Sequence, residues 1–185
     1  MKILRLLTVS IAVTFLFGCA SGAKMENMMY SGLEGDSKTY DDALKNEIDV
    51  STVSGGEETN PAWTSEISNE AFSGAVKKSL ANQGLLSEKG KYRLQVNMLK
   101  VDQPLFGLDM TVTTHVQYVM TDTQNNSVIL DETIIAPHTA TIGDAFVGLT
   151  RLRLANEGSG KKNIDGLLEK LSELKIKPQE VSVIN

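Results

Sequence analysis

The chain has 185 residues, of which 41% are hydrophobic, and its formal net charge is −5. This length suits one domain with a short extension and allows a buried core. The acidic balance argues against nucleic acid as a main partner, because nucleic acids are bound through basic patches. The single cysteine, Cys19, excludes a disulfide within the chain.

The N-terminus has the organisation of an export signal. Lys2 and Arg5 precede the uncharged, largely apolar run Leu6–Phe17. This run is too short to cross a membrane as a helix, which takes about 20 residues, but it fits the apolar core of a secretory signal peptide. The run ends in Leu16-Phe17-Gly18-Cys19, which resembles the bacterial lipobox. The resemblance implies that residues 1–18 are a lipoprotein signal peptide, cut between Gly18 and Cys19.

Lipid attachment to Cys19 follows from the same resemblance, with diacylglycerol on its sulfur and an acyl group on its new amine. Several acyl chains anchor a protein stably, so a membrane is a predicted partner. The next residue is Ala20 rather than Asp, which in enteric-type sorting favours the outer membrane, with the protein on its periplasmic face. The alternative is an ordinary signal peptide cut near Ala20 or Ala23, but a sole cysteine at the end of the apolar run favours the lipoprotein.

Composition divides the remaining chain into three parts. We predict that residues 19–44 form a lipidated N-terminus and a flexible tether, because glycine and polar residues interrupt any regular spacing of apolar residues there. Residues 45–177 predict a single α+β domain, and residues 178–185 a C-terminal tail. The tether contains three methionines, whose thioethers are soft ligands for Cu(I). No histidine accompanies them, so we interpret them as filler or as contacts to the membrane surface, and predict no metal and no cofactor (Met25, Met28, Met29).

The domain begins with a strand and a helix. Glu47–Val53 alternates partly and predicts the first strand. Ser68 is a suitable N-cap for the helix that follows, and Gly84 is typical of the residue that ends a helix. The apolar residues between them recur at helical spacing. They form a narrow stripe, so we expect this helix to lie on a flat partner.

Three strands supply that partner. Apolar and polar residues alternate from Tyr92 to Met98 and from Met110 to Met120, and less regularly from Val128 to Ile134. Asp122–Ser127 has the composition of a hairpin turn. The loop Asp102–Asp109, which joins the first two of these strands, is unusually apolar.

The last element is a long helix, predicted from Asp144 to Leu174. Gly158-Ser159-Gly160 lies in its middle, and each glycine costs about 1 kcal/mol relative to alanine. Either the helix breaks there, or small residues let its backbone lie close to the sheet. The order β-α-β-β-β-α predicts a two-layer α+β sandwich, with a four-stranded, mostly antiparallel sheet and two helices packed on one face.

Catalytic patterns are not found. His115 is predicted on the polar face of a strand and His138 in a loop, without the HExxH or GxSxG spacing of known hydrolases. Three aspartates near strand ends are interpreted as turn residues rather than as a carboxylate pair (Asp109, Asp122, Asp131). We therefore predict no catalytic residue. Arg153 and Glu157 are expected to form a weak surface ion pair, worth at most about 0.5 kcal/mol.

Aromatic residues in predicted loops are better candidates for function. Trp63, the only tryptophan, precedes the first helix, and Phe106 lies within the apolar loop Leu105-Phe106-Gly107-Leu108. Exposed aromatic residues often anchor a partner. The alternative is that both side chains cover the ends of the core. The polar face of the sheet is a second candidate surface, because no helix is predicted to cover it.

Three segments resemble a family of uncharacterised proteobacterial outer-membrane lipoproteins, over roughly residues 48–174. They are WTSEISNEAFSGAVKKSLANQGLL, YRLQVNMLKVDQPLFGLDMTVTTHVQYVMTD and DAFVGLTRLRLANEGSGKKNIDGLLEKL. Some members of this family carry the name of an acyltransferase acting on UDP-N-acetylglucosamine, but the hexapeptide repeats of such enzymes are absent here. The order of elements is also similar to LptE-like and YajG-like periplasmic assembly lipoproteins, a resemblance of fold alone.

Together these features predict a non-enzymatic binding or assembly module of the cell envelope, whose partner is an envelope protein, glycan or lipid. One alternative is an accessory lipoprotein of lipid or lipopolysaccharide transport, which predicts an apolar cavity between sheet and helices (Tyr92, Val96, Val116, Phe146). The other is an envelope hydrolase or transferase, which needs a cleft that gathers a histidine or carboxylates.

Overall fold

A computed structural model of the chain describes residues 21–30, 32 and 38–176. The predicted signal peptide, the lipid-attachment residue Cys19 and the predicted tail 178–185 lie outside these residues. The elements in chain order are α1 (Met25–Met28), a 3-10 helix (Asp42–Leu44), β1 (Ile48–Ser54), α2 (Asn69–Asn82), β2 (Tyr92–Asp102), β3 (Met110–Asp122), β4 (Val128–Ala140) and α3 (Gly148–Glu173).

The four strands form one sheet in the order β1-β2-β3-β4. β1 pairs with β2 in parallel, and the other two pairs are antiparallel. Alternate residues of β2 and β3 point into the core, as their period of two predicts. The predicted α+β class and the predicted four-stranded, mostly antiparallel sheet are confirmed. The core lies between the sheet and the helices, and its largest fully buried side chains include Tyr92, Tyr118, Phe72, Leu80 and Ile164.

Local sequence explains the ends of α2. The Ser68 hydroxyl accepts a hydrogen bond from the Ala71 N–H at 3.2 Å and caps the first turn. Gly84 has a φ of +68°, and the Leu85 N–H reaches back to the Leu80 carbonyl at 2.9 Å. This left-handed glycine ends the helix as predicted.

Helix α3 does not break at Gly158-Ser159-Gly160. A Cβ on Gly158 would collide with the His138 ring, and one on Gly160 would lie 2.8 Å from the Met28 sulfur. The small residues therefore let the helix backbone approach its neighbours, which was one of the two predicted possibilities. The helix begins at Gly148 rather than Asp144, because the Asp144 carboxylate accepts hydrogen bonds from the Thr141 N–H and hydroxyl and closes a turn there.

A buried polar stripe joins α3 to the sheet. The Ser159 hydroxyl accepts a hydrogen bond from the Thr114 N–H at 3.0 Å and lies 2.7 Å from the Ala136 carbonyl. The Asn163 amide donates to the Ile134 carbonyl at 2.9 Å and accepts from the Tyr118 hydroxyl at 2.8 Å. These bonds satisfy backbone and side-chain groups that would otherwise be buried without partners. Burial raises the pKa of the Tyr118 phenol well above its ordinary value.

The prediction of a flexible tether over residues 19–44 is wrong for residues 21–30, which pack onto the domain. Met28 and Tyr30 are buried, and so is Leu44 further along. Met25 lies against Gly74 of α2, and Met28 lies against Gly160 of α3. Met25 and Met28, predicted as filler, are therefore packing residues, and the missing side chains of the two glycines leave room for them.

Glu157 holds the same segment from α3. Its carboxylate accepts hydrogen bonds from the Lys24 N–H at 3.0 Å and from the Asn27 amide at 2.8 Å. Arg153 approaches the same carboxylate to 3.7 Å, but Glu157 is only 3% exposed. The predicted surface ion pair is therefore a buried contact that fixes the N-terminal segment. In the part of the chain described here, we find no helix long and apolar enough to cross a membrane.

Candidate functional site

One end of the domain presents apolar side chains to solvent. It is the end at which β2 and β4 finish and β3 and α3 begin. Trp63 is 79% exposed, Phe106 is 86% exposed and Phe146 is 87% exposed. We call this set the apolar rim, and it consists of Trp63, Leu105, Phe106, Leu108, Phe146 and Val147.

Arg151, in the first turn of α3, joins two of the three loops that carry the rim. Its Nη1 atom donates to the carbonyl oxygens of Ala145 and Phe146, at 2.7 and 2.8 Å. Its Nη2 atom donates to the Gly107 carbonyl at 3.2 Å. The guanidinium is planar and offers donors on both sides, so one buried side chain sets the spacing of the β2–β3 and β4–α3 loops.

The third loop, which carries Trp63, is held by a buried polar network. The Asn156 amide of α3 donates to the Ser65 carbonyl at 2.6 Å. The Gln103 amide, at the base of the β2–β3 loop, lies 3.2 Å from the same carbonyl and 3.0 Å from the Asn156 side-chain oxygen. Gln103 also donates to the Glu66 carboxylate at 2.8 Å. Trp63 is thus exposed on a loop whose base is fixed.

A pocket of about 520 Å³ opens beside the rim. Trp63 and Leu105 line its mouth, and Leu152 of α3 lines it deeper in the domain. Charged and polar side chains share the lining, among them Glu57 and Lys100. The mixed lining suits an amphipathic group better than a wholly apolar ligand.

The N-terminal segment emerges at the same end. The Ser65 hydroxyl donates to the Ser21 carbonyl at 2.8 Å. Two residues further on, the Ala23 N–H donates to the Glu66 carbonyl at 2.9 Å. The chain that leads to Cys19 therefore leaves the domain two residues along the sequence from Trp63.

The predicted anchors Trp63 and Phe106 do not cover the core, since both point into solvent at this end. Phe146 falls within the range predicted for the last helix, Asp144–Leu174, and the structure corrects its position. Because α3 begins at Gly148, Phe146 lies in the preceding loop. Its exposure means that the cavity predicted from Tyr92, Val96, Val116 and Phe146 is not formed. The pair Thr141 and Asp144, whose side chains close a turn, is the sequence feature that marks the later start of α3.

The two histidines occupy separate settings. The Nε2 atom of His115 lies 3.2 Å from an Asp102 carboxylate oxygen on the open face of the sheet. Lys100 donates to the other oxygen at 2.6 Å and, together with His115, holds the pKa of that carboxyl below its usual value. His138 lies within β4 rather than in the predicted loop, and packs over Gly158. Burial is the main cause that lowers the pKa of its imidazole.

Neither histidine has a nucleophile among its hydrogen-bonding partners in the described residues. Over the same residues, no group of three or more histidine, cysteine, aspartate or glutamate side chains is placed to hold a metal ion. At the rim end, the described residues provide an exposed apolar surface and a pocket with a mixed lining.

No family model matches the sequence, and no curated protein is similar to it. Solved structures with a similar fold are found. A protein of Xanthomonas campestris from the family DUF330 has a TM-score of 0.51 and 9% identity, over 71% of this chain and 88% of that one. A Caulobacter crescentus protein classed as a lipoprotein has a TM-score of 0.50 and 12% identity, over 70% and 90% of the two chains. A minor lipoprotein of Acinetobacter baumannii has a TM-score of 0.47 and 11% identity, over 70% and 94%.

At these identities, the first two structures show a shared fold. They carry no residue of a functional site to this chain.

Proposed function

We propose that this protein is a lipoprotein of the Gram-negative cell envelope, attached through lipid on Cys19 to the periplasmic face of the outer membrane. The sequence around Cys19 supports the lipid, and Ala20 after it supports the outer membrane. The similar fold of a Caulobacter crescentus protein classed as a lipoprotein is in agreement. The folded domain acts by binding another component of the envelope.

The observation that carries the binding role is the apolar rim. Three loops each expose at least one large apolar side chain at the same end of the domain, and each loop is fixed at its base by buried polar groups. Soluble proteins rarely expose contiguous apolar patches without a partner. Trp63 and Phe106 are the proposed anchors, since aromatic side chains contribute most to binding energy at interfaces.

A non-enzymatic role agrees with the placement of the reactive residues. His115 lies beside Asp102 and Lys100 on the open sheet, and His138 packs on α3. The nucleophilic hydroxyls of Ser159 and Thr114 are fully buried and bonded within the core. Neither histidine lines the pocket beside the rim.

Site-specific photocrosslinking in intact cells tests the binding role. A photoreactive amino acid at position 106 should form a crosslink to an envelope component, and the same group at Val128, which is exposed at the opposite end of the sheet, should not. Membrane fractionation and mass spectrometry of the intact protein test the anchor in parallel. A mature protein without acyl mass on Cys19 would refute the lipoprotein proposal, and equal crosslinking at both positions would refute the rim as the binding surface.

The pocket beside the rim favours a second candidate, an accessory lipoprotein of lipid transport. The pocket lies between the Trp63 loop and the β2–β3 loop, and its volume of about 520 Å³ is within the range of small-molecule sites. Native mass spectrometry of protein purified from membranes should then show one bound lipid. Leu99→Asp, which places a charge in the lining, should remove it. If the unmodified protein and Leu99→Asp are both free of lipid, the role in lipid transport is refuted.

A further inference from the structure

We propose that the apolar rim inserts into the same membrane that carries the lipid anchor, so that the interfacial layer of the bilayer is the component it binds. This inference rests on the proposed function, since it requires lipid on Cys19. It follows from the contact that holds Ser21 at this end of the domain, from the packing of residues 21–30 and from the composition of the rim.

The first step is the reach of the chain. Ser21 is bonded to Ser65, two residues from Trp63. Only Ala20 separates Ser21 from Cys19. Two residues of extended chain span at most about 7 Å, so a lipidated Cys19 remains close to the Trp63 loop whatever path the backbone takes. The acyl chains therefore enter the membrane beside the rim.

The second step is that the chain after Ser21 is packed against the domain. The Ala23 N–H donates a hydrogen bond to the Glu66 carbonyl, and the Lys24 N–H donates one to the buried carboxylate of Glu157. Met28 is fully buried against Gly160. A tether of about 25 flexible residues would let the domain drift some 25–30 Å from the bilayer. With the segment packed, the anchor holds this end of the domain against the membrane surface.

The third step is the chemistry of the rim. Trp63 is of the residue type that is enriched at membrane interfaces. Phe106 and Phe146 add large apolar rings of the kind that enter the headgroup and acyl boundary on interfacial helices. Leu105 is 96% exposed and Leu108 is 73% exposed. Exposure of these apolar side chains to water is unfavourable. Their transfer into the boundary between headgroups and acyl chains removes them from water and lowers the free energy. The three loops project at one end, as insertion into a planar surface requires.

Charge indicates the kind of lipid contact. The loops that carry the rim also carry five carboxylates (Glu57, Glu58, Glu66, Asp109, Asp144). Juxtamembrane polybasic segments are what attract anionic lipids, and the rim loops contain no such run. Insertion is thus driven by apolar burial, and should depend little on salt and should not require anionic lipid.

The only tryptophan of the chain lies in the rim and reports its own surroundings. The mature lipidated protein is reconstituted into phosphatidylcholine vesicles, with and without brominated acyl chains. We expect the Trp63 emission to shift to the blue and to be quenched by the brominated lipid, with no loss of quenching in added salt. The Cys19→Ser protein in buffer gives the emission of the water-exposed indole for comparison.

Variants separate insertion by the rim from mere proximity to the anchor. Phe106→Ser combined with Leu105→Ser should lower the quenching of Trp63 and weaken vesicle binding of the unlipidated Cys19→Ser protein about tenfold or more, because each residue loses a large apolar burial. Val128→Ser, at the opposite end of the sheet, should change neither. Circular dichroism confirms that the variants remain folded.

The outcomes distinguish this inference from the function on which it rests. If the lipidated protein floats with the vesicles while Trp63 stays unquenched, the inference is overturned and the lipoprotein stands. If Trp63 stays unquenched and position 106 crosslinks a protein in cells, the rim is a protein-docking surface instead. If the mature protein carries no lipid and does not float, the proposed function itself fails.

Discussion

The carboxylate of Glu157, in the middle of α3, accepts a hydrogen bond of 3.0 Å from the backbone N–H of Lys24, near the start of the described chain. Four residues separate Lys24 from the predicted lipid-attachment site, Cys19. The bond therefore ties the N-terminal segment to the longest described helix of the domain. With lipid on Cys19, as we propose, the fold rather than a flexible linker sets the orientation of the domain at the membrane.

Glu157→Ala should release this segment. The Lys24 N–H and the Asn27 amide lose a charged acceptor. A hydrogen bond to a charged group contributes about 1.5–3 kcal/mol to stability. We expect the free energy of unfolding to fall by about that amount, and amide exchange at residues 24–30 to accelerate. Chemical denaturation and hydrogen exchange measure the two effects.

Glu173→Ala is the matched control, because Glu173 lies on the exposed end of the same helix and its ion pair within the described residues is with Lys170. Its effect should stay within about 0.5 kcal/mol, as for ordinary surface substitutions. Equal losses from both variants would show that Glu157 does not have the role assigned to it.

Ser159→Ala should destabilise the domain by about 1–3 kcal/mol, because it leaves the Thr114 N–H and the Ala136 carbonyl buried with fewer partners. Ser172→Ala on the exposed side of α3 provides the comparison, since its hydroxyl donates to the Glu169 carbonyl of the same helix at 2.7 Å. Thermal unfolding of the two variants measures the difference. If they unfold at the same temperature, the polar stripe does not stabilise the contact between α3 and the sheet.

Gly158→Ala tests the close approach of α3 to the sheet. In an open helix this change would gain up to about 1 kcal/mol, but here the new methyl meets the His138 ring. We expect a net loss of stability, and a gain when His138→Ala is already present. A double-mutant cycle on the free energy of unfolding measures the coupling. Gly148→Ala, where the nearest atoms lie 3.7 Å away, should show no such coupling.

Local rules were sufficient for most of the fold. The cap at Ser68, the left-handed Gly84 and the alternation along β2 and β3 each depend on neighbours a few residues apart, and the structure confirms them. The alternation also placed the four strands in one sheet with a single buried face.

Long-range contacts account for what the sequence could not reveal. Met25 and Met28 look like filler in a polar segment, and only the folded chain brings Gly74 and Gly160 beneath them. Part of the rim could be predicted from the sequence, because Trp63 and Phe106 are aromatic residues within predicted loops. The role of Arg151 could not be predicted in the same way. It joins two loops of the rim through backbone carbonyl groups, and no local sequence pattern specifies where those groups lie.

Arg151→Lys should loosen the rim without removing its charge. A lysine ammonium cannot reach the carbonyl groups of both loops in the way that the planar fork does. We expect faster amide exchange in residues 105–108 and 145–147, measured by mass spectrometry. Arg93→Lys on the exposed sheet face is the control, and should leave both segments unchanged. Protection equal to that of the unmodified protein would mean that the loops hold their spacing without Arg151.

The stability of the domain should depend on pH through His138. Burial against α3, and secondarily Lys162, lowers the pKa of its imidazole below the ordinary 6.5, while Asp144 opposes the shift. The unfolded chain then takes up a proton more readily than the folded one, so this stability is present above about pH 6.5 and is lost as the pH falls through the folded pKa.

Thermal unfolding of the unmodified protein and of His138→Gln between about pH 5 and pH 8 isolates this effect, because that range spans the ordinary imidazole titration. The pKa of Asp41 is lowered by hydrogen bonds from the Ala43 and Ile176 N–H groups, which both proteins share, so its contribution cancels in the comparison. The pKa of Asp144 is lowered mainly by its bonds to Thr141, which are also shared, and a smaller part of the lowering comes from His138 and belongs to the measured difference. We expect the unmodified protein to lose more stability on acidification than His138→Gln does. Parallel curves for the two proteins would show that the His138 imidazole is protonated as easily in the folded chain as in the unfolded one.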